Sequence, residues 1–366
     1  LSGLKMRVIS CMKIKTIKKL LLLIIMLMLS SCGTTRIERV LVNESDIRLY
    51  EKPKDWENLE AREKTIKTYS RSLSGRKIFI DPGHGGKDKR NKSRSGKVIE
   101  ADVNLRVTLY LKKYLEAAGA IVLMSREKDE TVGLKVRPKM ANDFGADVFI
   151  SVHHNSPGST ENDWTDYTST YYHAKEYEEG FIPAAKDLAR FVQRDLAYAV
   201  RNSGGLGSFD GTYSDYKIYP GKGFAVLRLA EMPAILVECA FHTNHNEEIR
   251  LQIDEFNRIE AWGIFRGLGR YFLNGVPEIK LLREESDLSG GRLSLAFELK
   301  DKSGIDEGTI LVEFDEVQMD YEFNAETNHL KFGLSQVDSG EHYVEIKCKN
   351  INGNSAFPFR KKIVVK

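Results

Sequence analysis

Ile78-Phe79-Ile80-Asp81-Pro82-Gly83-His84-Gly85-Gly86 is the stretch whose reading decides the fold. Three strand-forming apolar residues run into Asp-Pro, and a histidine follows between glycines. A short apolar run bounded by Pro and Gly reads as a buried strand that stops abruptly. The glycines permit a sharp turn and leave room for another group beside the imidazole. Ligands of open α/β sheets sit just beyond the carboxyl ends of strands, so His84 is presented where chemistry usually happens. Taken alone, it would read as a loop histidine without a ligand.

Outward from this stretch, strands and helices alternate. Predicted strands are Ile78–Asp81, Ile121–Met124, Asp147–Val152, Thr168–Tyr172, Phe224–Leu229 and Ala234–Glu238. Between them, Val103, Val107, Leu111 and Leu115 recur every fourth residue in a helix opened by Glu100 and stopped near Gly119. Further helices are predicted over Val136–Phe144, from Ile182 to about Asn202, and from Glu247 to about Phe272. The pattern indicates an α/β domain over residues 76–276, with a mixed, mostly parallel six-stranded sheet and helices on both faces.

Beyond Asn274-Gly275-Val276-Pro277 the pattern changes to short alternating strands such as Leu293–Phe297, Thr309–Phe314, His342–Ile346 and Lys362–Val365. Turn residues separate them, and residues 277–366 fit a small all-β immunoglobulin-like sandwich. Upstream, residues 32–75 read as a tether with one docking helix, capped by Asp55 and running from Trp56 to about Leu73.

The formal net charge of +3 misleads. Residues 1–31 hold six basic and no acidic residues, and without them 49 basic face 52 acidic. That balance argues against nucleic acid as a partner. Residues 12–33 carry a basic segment, an apolar run from Leu20 to Leu29, and Ser30-Ser31-Cys32-Gly33. This is the layout of an export signal, and the apolar run is short for a membrane span. Leu29-Ser30-Ser31-Cys32 resembles a bacterial lipobox, which implies cleavage before Cys32 and its acylation, with Met12 as the natural start. Two acyl chains would anchor the chain to a membrane. Gly33 after the lipidated cysteine speaks weakly for the outer membrane, facing the periplasm, in a cell with two membranes. Cys239 and Cys348 lie in different predicted domains and form no disulfide framework.

Four residues stand at the ends of predicted elements. His84 follows the first strand, Glu100 opens the first helix, His153 follows the third strand, and Glu238 ends the last. Two imidazoles and a carboxylate form the ligand set of a catalytic zinc site with an open position. Glu238 would be the additional carboxylate such a site needs for proton transfer. Glu100 reads equally well as an ordinary first-turn carboxylate. Glu238 in an apolar strand is harder to dismiss, because a buried carboxylate is costly unless paired or functional. Of His153 and His154, one should face the metal while the other packs or touches substrate.

Together these motifs resemble the zinc-dependent N-acetylmuramoyl-L-alanine amidases of the type-3 family. The resemblance rests on Asp81-Pro82-Gly83-His84-Gly85-Gly86, Glu100 before Asn104, Ser151-Val152-His153-His154-Asn155 and Pro233-Ala234-Ile235-Leu236-Val237-Glu238. It implies Zn2+ held by His84, Glu100 and His153, with Glu238 as the catalytic carboxylate. It also implies hydrolysis of the amide between N-acetylmuramic acid and L-alanine in peptidoglycan, in cell-wall remodelling or daughter-cell separation. A protein activator is a further candidate partner. His154 and His242 depart from the family pattern, and Pro157–Asp166 reads as an insertion shaping the substrate groove. The competing reading is an inactive peptidoglycan-binding or regulatory amidase-like protein. A deacetylase or peptidase would need a different motif order.

Overall fold

A computed structural model describes residues 51–157, 162–202, 210–287 and 291–365, all within one compact unit. The predicted export signal, Cys32, the tether up to residue 50 and residues 158–161 of the insertion lie outside the described residues.

Strand β1 (Lys77–Pro82) is buried along all but its first residue. Ile78 and Ile80 enter one apolar cluster, while Phe79 enters a second and stacks on Phe149 at 5.6 Å. Side chains alternate across a strand, so an uninterrupted apolar run means that both faces of the sheet are covered. The other strands of this sheet are β2 (Ile121–Met124), β3 (Val148–Asn155), β4 (Ser169–Tyr172), β5 (Thr212–Ser214) and β6 (Ala234–Phe241). Their order is β2-β1-β3-β6-β4-β5. Every neighbouring pair is parallel except β4 with β6. The neighbours β1, β3 and β6 run in one direction, so their carboxyl ends share one rim.

Helices α1 (Lys54–Glu57), α2 (Leu59–Leu73), α3 (Glu100–Ala117), α5 (Pro183–Val200) and α8 (Asp254–Leu273) contribute to the larger cluster. Helices α4 (Val136–Phe144) and α6 (Ala225–Arg228) contribute to the other. Helix α7 (His245–Leu251) leads from the rim into α8. The α5–α8 contact is close because α8 carries glycines there. A Cβ on Gly267 would lie 2.5 Å from Val192 Cα, and one on Gly263 2.7 Å from Leu196 Cα.

Four predicted details differ. Phe224–Leu229 is not a strand: Ala225–Arg228 forms a helical turn, with Val226 and Leu227 buried in the second cluster. The fifth strand is Thr212–Ser214, too short and polar to show in the pattern. The helix predicted from Glu247 to Phe272 is two helices, broken at Gln252-Ile253. Side chains of Arg106 and Asn257 there capture the Leu251 carbonyl. The docking helix also breaks, at Asn58, whose side chain accepts from Ala61 N; Asn58, not Asp55, caps the longer part.

Residues 278–365 form two four-stranded antiparallel sheets, ordered β10-β9-β13-β14 and β11-β12-β8-β7. The strands are β7 (Glu278–Leu281), β8 (Leu293–Lys300), β9 (Ile305–Phe314), β10 (Val317–Gln318), β11 (Glu322–Asn324), β12 (His329–Leu334), β13 (Gly340–Asn350) and β14 (Phe359–Val365). Both sheets supply one apolar cluster, with Phe297 and Leu330 from one and Val312 and Ile346 from the other. Asn354 joins this region to the α/β layer by donating to the carbonyls of Tyr271 (3.1 Å) and Gly275 (2.6 Å).

Candidate metal centre

The shared rim brings three of the four predicted residues into one cluster. Ligand atoms of His84, Glu100 and His153 all lie within 4.8 Å of one another. His84 sits just past β1, on a left-handed backbone (φ 59°) between Gly83 and Gly85. Buried arginines hold this unusual turn. Arg137 donates to the Pro82 (2.8 Å) and His84 (2.9 Å) carbonyls, and Arg126 to those of Pro82 (3.1 Å) and Gly83 (2.9 Å). Asp81 is buried too, bound by Arg137 (2.6 Å) and by the hydroxyls of Ser125 and Ser151 (2.5 and 2.8 Å).

Gly83 is needed for space. A Cβ built on it would lie 2.2 Å from His153 Cε1 and 2.3 Å from Nε2. The room predicted beside the His84 turn is thus filled by the second imidazole. The two rings stand edge to face, 4.9 Å between centroids.

Glu100, at the first turn of α3, is buried. Its Oε1 lies 2.9 Å from His153 Nδ1 and accepts from His154 N (3.2 Å) and Asn104 Nδ2 (3.3 Å). Its Oε2 lies 3.2 Å from His84 Nε2 and accepts from Asn91 Nδ2 at 2.7 Å. Burial pushes the Glu100 carboxyl up, but hydrogen bonds from His153 and His84 hold it well below the usual range. Burial pulls the His84 imidazole down, yet Glu100 and Asp88 outweigh it and raise it to about 9. Asp88 Oδ2 meets His84 Nδ1 at 2.7 Å, an outer carboxylate of the kind that orients a metal-binding histidine.

Glu238 pairs in register with His153 across β6 and β3, so both side chains project from the same face of the sheet. Its Oε2 is buried with no hydrogen-bond partner. Burial, and then the charge of Glu100, push this carboxyl well above its usual range. An orphaned carboxylate oxygen beside a cluster of two imidazoles and a carboxylate is a donor set that suits a zinc ion.

His154 points away from this cluster and packs between Asn104 and Glu260. His242 follows β6 and is buried, and burial pulls its imidazole below the usual value. The Arg228 guanidinium donates to the Lys222 carbonyl. Cys239 and Cys348 are buried free thiols. Of the buried supports, Asp81 and Asn104 stand inside the motifs, and Arg126 and Arg137 stand near strand or helix ends, where structural ion pairing reads at least as well as a site role. Asn91 alone carries no signal in the sequence.

Residues 78–270 match the family described as N-acetylmuramoyl-L-alanine amidase (Amidase_3). The chain is 30% identical over 220 residues to the germination-specific N-acetylmuramoyl-L-alanine amidase of Bacillus subtilis (strain 168), covering 56% of this chain and 84% of that protein. It is 33% identical over 198 residues to the N-acetylmuramoyl-L-alanine amidase CwlM of Bacillus licheniformis, covering 54% of this chain and 68% of that protein. A crystal structure of an N-acetylmuramoyl-L-alanine amidase from Clostridium difficile 630 aligns with 54% of this chain and 97% of its own, at 31% identity and a TM-score of 0.47. With the matched segment spanning the whole α/β layer from β1 to α8, the chain belongs to the N-acetylmuramoyl-L-alanine amidase family.

Proposed function

We propose that this chain hydrolyses the amide bond between N-acetylmuramic acid and the L-alanine of the stem peptide in peptidoglycan, with zinc as its cofactor. The observation that carries the reading is the placement of Glu238, with a buried unpartnered Oε2, in register with one corner of the His84–Glu100–His153 cluster. Family membership and the names of both relatives support the same bond as substrate.

His84, Glu100 and His153 would hold the zinc. When bound, zinc supplies Lewis acidity toward the amide carbonyl and acidifies water. Glu238 takes the proton from the attacking water and returns it to the departing amine of L-alanine. A carboxyl displaced upward by burial suits both halves of that transfer. Asp88 and Asn91 keep the His84 imidazole and the Glu100 carboxylate in fixed orientations.

The proposal extends to the rest of the chain. Leu29-Ser30-Ser31-Cys32 supports lipidation at Cys32 and a place in the cell envelope, and Gly33 supports the outer membrane, facing the periplasm, in a cell with two membranes. Wall remodelling or daughter-cell separation is the role such a place serves. Residues 32–75 act as tether and docking helix, 76–276 as the catalytic domain, and 277–366 as an immunoglobulin-like module; the two antiparallel sheets with one core support the last. A protein activator is a further candidate partner.

The test is a digest of purified peptidoglycan with product masses read by mass spectrometry. Stem peptides beginning with L-alanine should appear, and vanish with a chelator or in Glu238→Ala. Zinc-loaded protein that releases none would favour the inactive, peptidoglycan-binding reading.

A further inference from the structure

Adjacent residues of a strand face opposite ways. His153 faces the candidate metal centre, and His154 enters a second, fully buried polar cluster on the other side of β3. His154 Nδ1 lies 2.7 Å from Asn104 Oδ1, and its Nε2 2.9 Å from Glu260 Oε1. The Asn104 amide cannot be turned round, because its Nδ2 already faces two acceptors, Gly83 O (3.2 Å) and Glu100 Oε1 (3.3 Å). Its Oδ1 therefore accepts, and His154 Nδ1 donates. Glu260 is held in turn by Asn257 Nδ2 at 3.1 Å, and Asn257 Oδ1 by Arg106 Nε at 2.9 Å. Asn104, His154, Asn257 and Glu260 are all buried.

One unbroken chain thus runs Arg106–Asn257–Glu260–His154–Asn104 and ends on Glu100 and on the carbonyl that precedes His84. Asn104 touches one proposed metal ligand, Glu100, and the carbonyl next to a second, His84, and His154 fixes Asn104. We propose that His154 and Glu260 are positioning residues that orient Glu100 and the His84 turn for zinc through Asn104. The proposal rests on the reading of His84, Glu100 and His153 as the zinc holders. Outer partners of metal ligands typically contribute about 10–100-fold in metal affinity.

A single truncation would strand a buried partner, so both are replaced together by apolar groups. In His154→Leu/Glu260→Leu the zinc dissociation constant should rise about 10–100-fold, with thermal melting near the parent's. Glu260→Gln can still meet His154 Nε2 and leaves the Nδ1 donor in place, so its affinity should stay close to the parent's. If the double variant does not fold, Asn104→Leu, of the same shape, takes its place with the same expectation. A folded double variant, or Asn104→Leu chain, that binds zinc as tightly as the parent overturns the relay. So does Glu260→Gln if it weakens zinc as much as the double variant does. Two zinc equivalents in the parent, the second lost in Cys239→Ala, would also overturn it, making His154, Cys239 and Glu260 a metal site of their own. A parent without zinc, or a His84→Ala chain with parental affinity, would overturn the metal centre and the relay together, a pattern distinct from failure of the relay alone.

Discussion

The rim at the ends of β1, β3 and β6 and the two sheets of residues 278–365 treat charge in opposite ways. At the rim, Asp81, Glu100, Arg126, Arg137 and Glu260 are buried, each with hydrogen-bond partners. In the sheets, the buried set is apolar apart from the uncharged Asn350, Asn354 and Ser355, and the ion pairs lie outside, such as Arg360–Glu345 at 2.6 Å. The sheet region shows that this chain can build a core without buried charge. Charges at the rim carry a desolvation penalty that apolar side chains would avoid, so they are there to hold a geometry.

Breaking one rim pair should therefore cost most. Arg137→Ala leaves Asp81 buried without its cation, frees the carbonyl of His84 and leaves that of Pro82 to Arg126 alone. A loss of about 3–5 kcal/mol is expected in denaturant unfolding. A loss under about 1 kcal/mol, the range of surface pairs, would erase the contrast between the regions. Next comes Gly83→Ala, whose methyl would meet the His153 ring at 2.2 Å. Overpacking there should cost about 1–3 kcal/mol and lower zinc content; unchanged zinc and melting would mean that the turn can yield.

In the sheets, Arg360→Ala should lower stability by less than about 1 kcal/mol, shrinking further in high salt. The smallest effect is set by pH. The hydrogen bond to Asp315 raises the half-buried His342 imidazole of β13 above its ordinary 6.5. A group whose folded pKa is raised adds stability that is fully present below its unfolded value and fades as pH rises through the folded one. The melting difference between the parent and His342→Gln should be largest below pH 6.5 and vanish at high pH. A difference that stays level from acid to alkaline pH would contradict it.

What could be read in advance followed local chemistry. Ile78-Phe79-Ile80 before Asp-Pro announced β1, and Val103, Val107, Leu111 and Leu115 announced α3, because one residue's burial repeats at the period of its element. The apolar run at 224–229 misled because strand and buried helical turn look alike over six residues, and Val226 and Leu227 were taken up by the second cluster as a helical turn. Three-residue β5 has no period to show. At the site, His84 follows β1 and Glu100 opens α3 as the order of motifs suggested, whereas His153 and Glu238, expected at strand ends, lie inside β3 and β6, which run on to Asn155 and Phe241. The contacts of their supports could not be read in advance. Arg137 reaches Asp81 across 56 positions and His154 meets Glu260 across 106, so only the folded sheet brings them together.

Zinc stoichiometry bears most directly on the rim as a metal centre. By elemental analysis of the purified chains, the parent and Glu238→Ala should each carry one zinc, and His84→Ala far less. A His84→Ala chain with as much zinc as the parent would contradict the assignment of His84, Glu100 and His153 as its ligands.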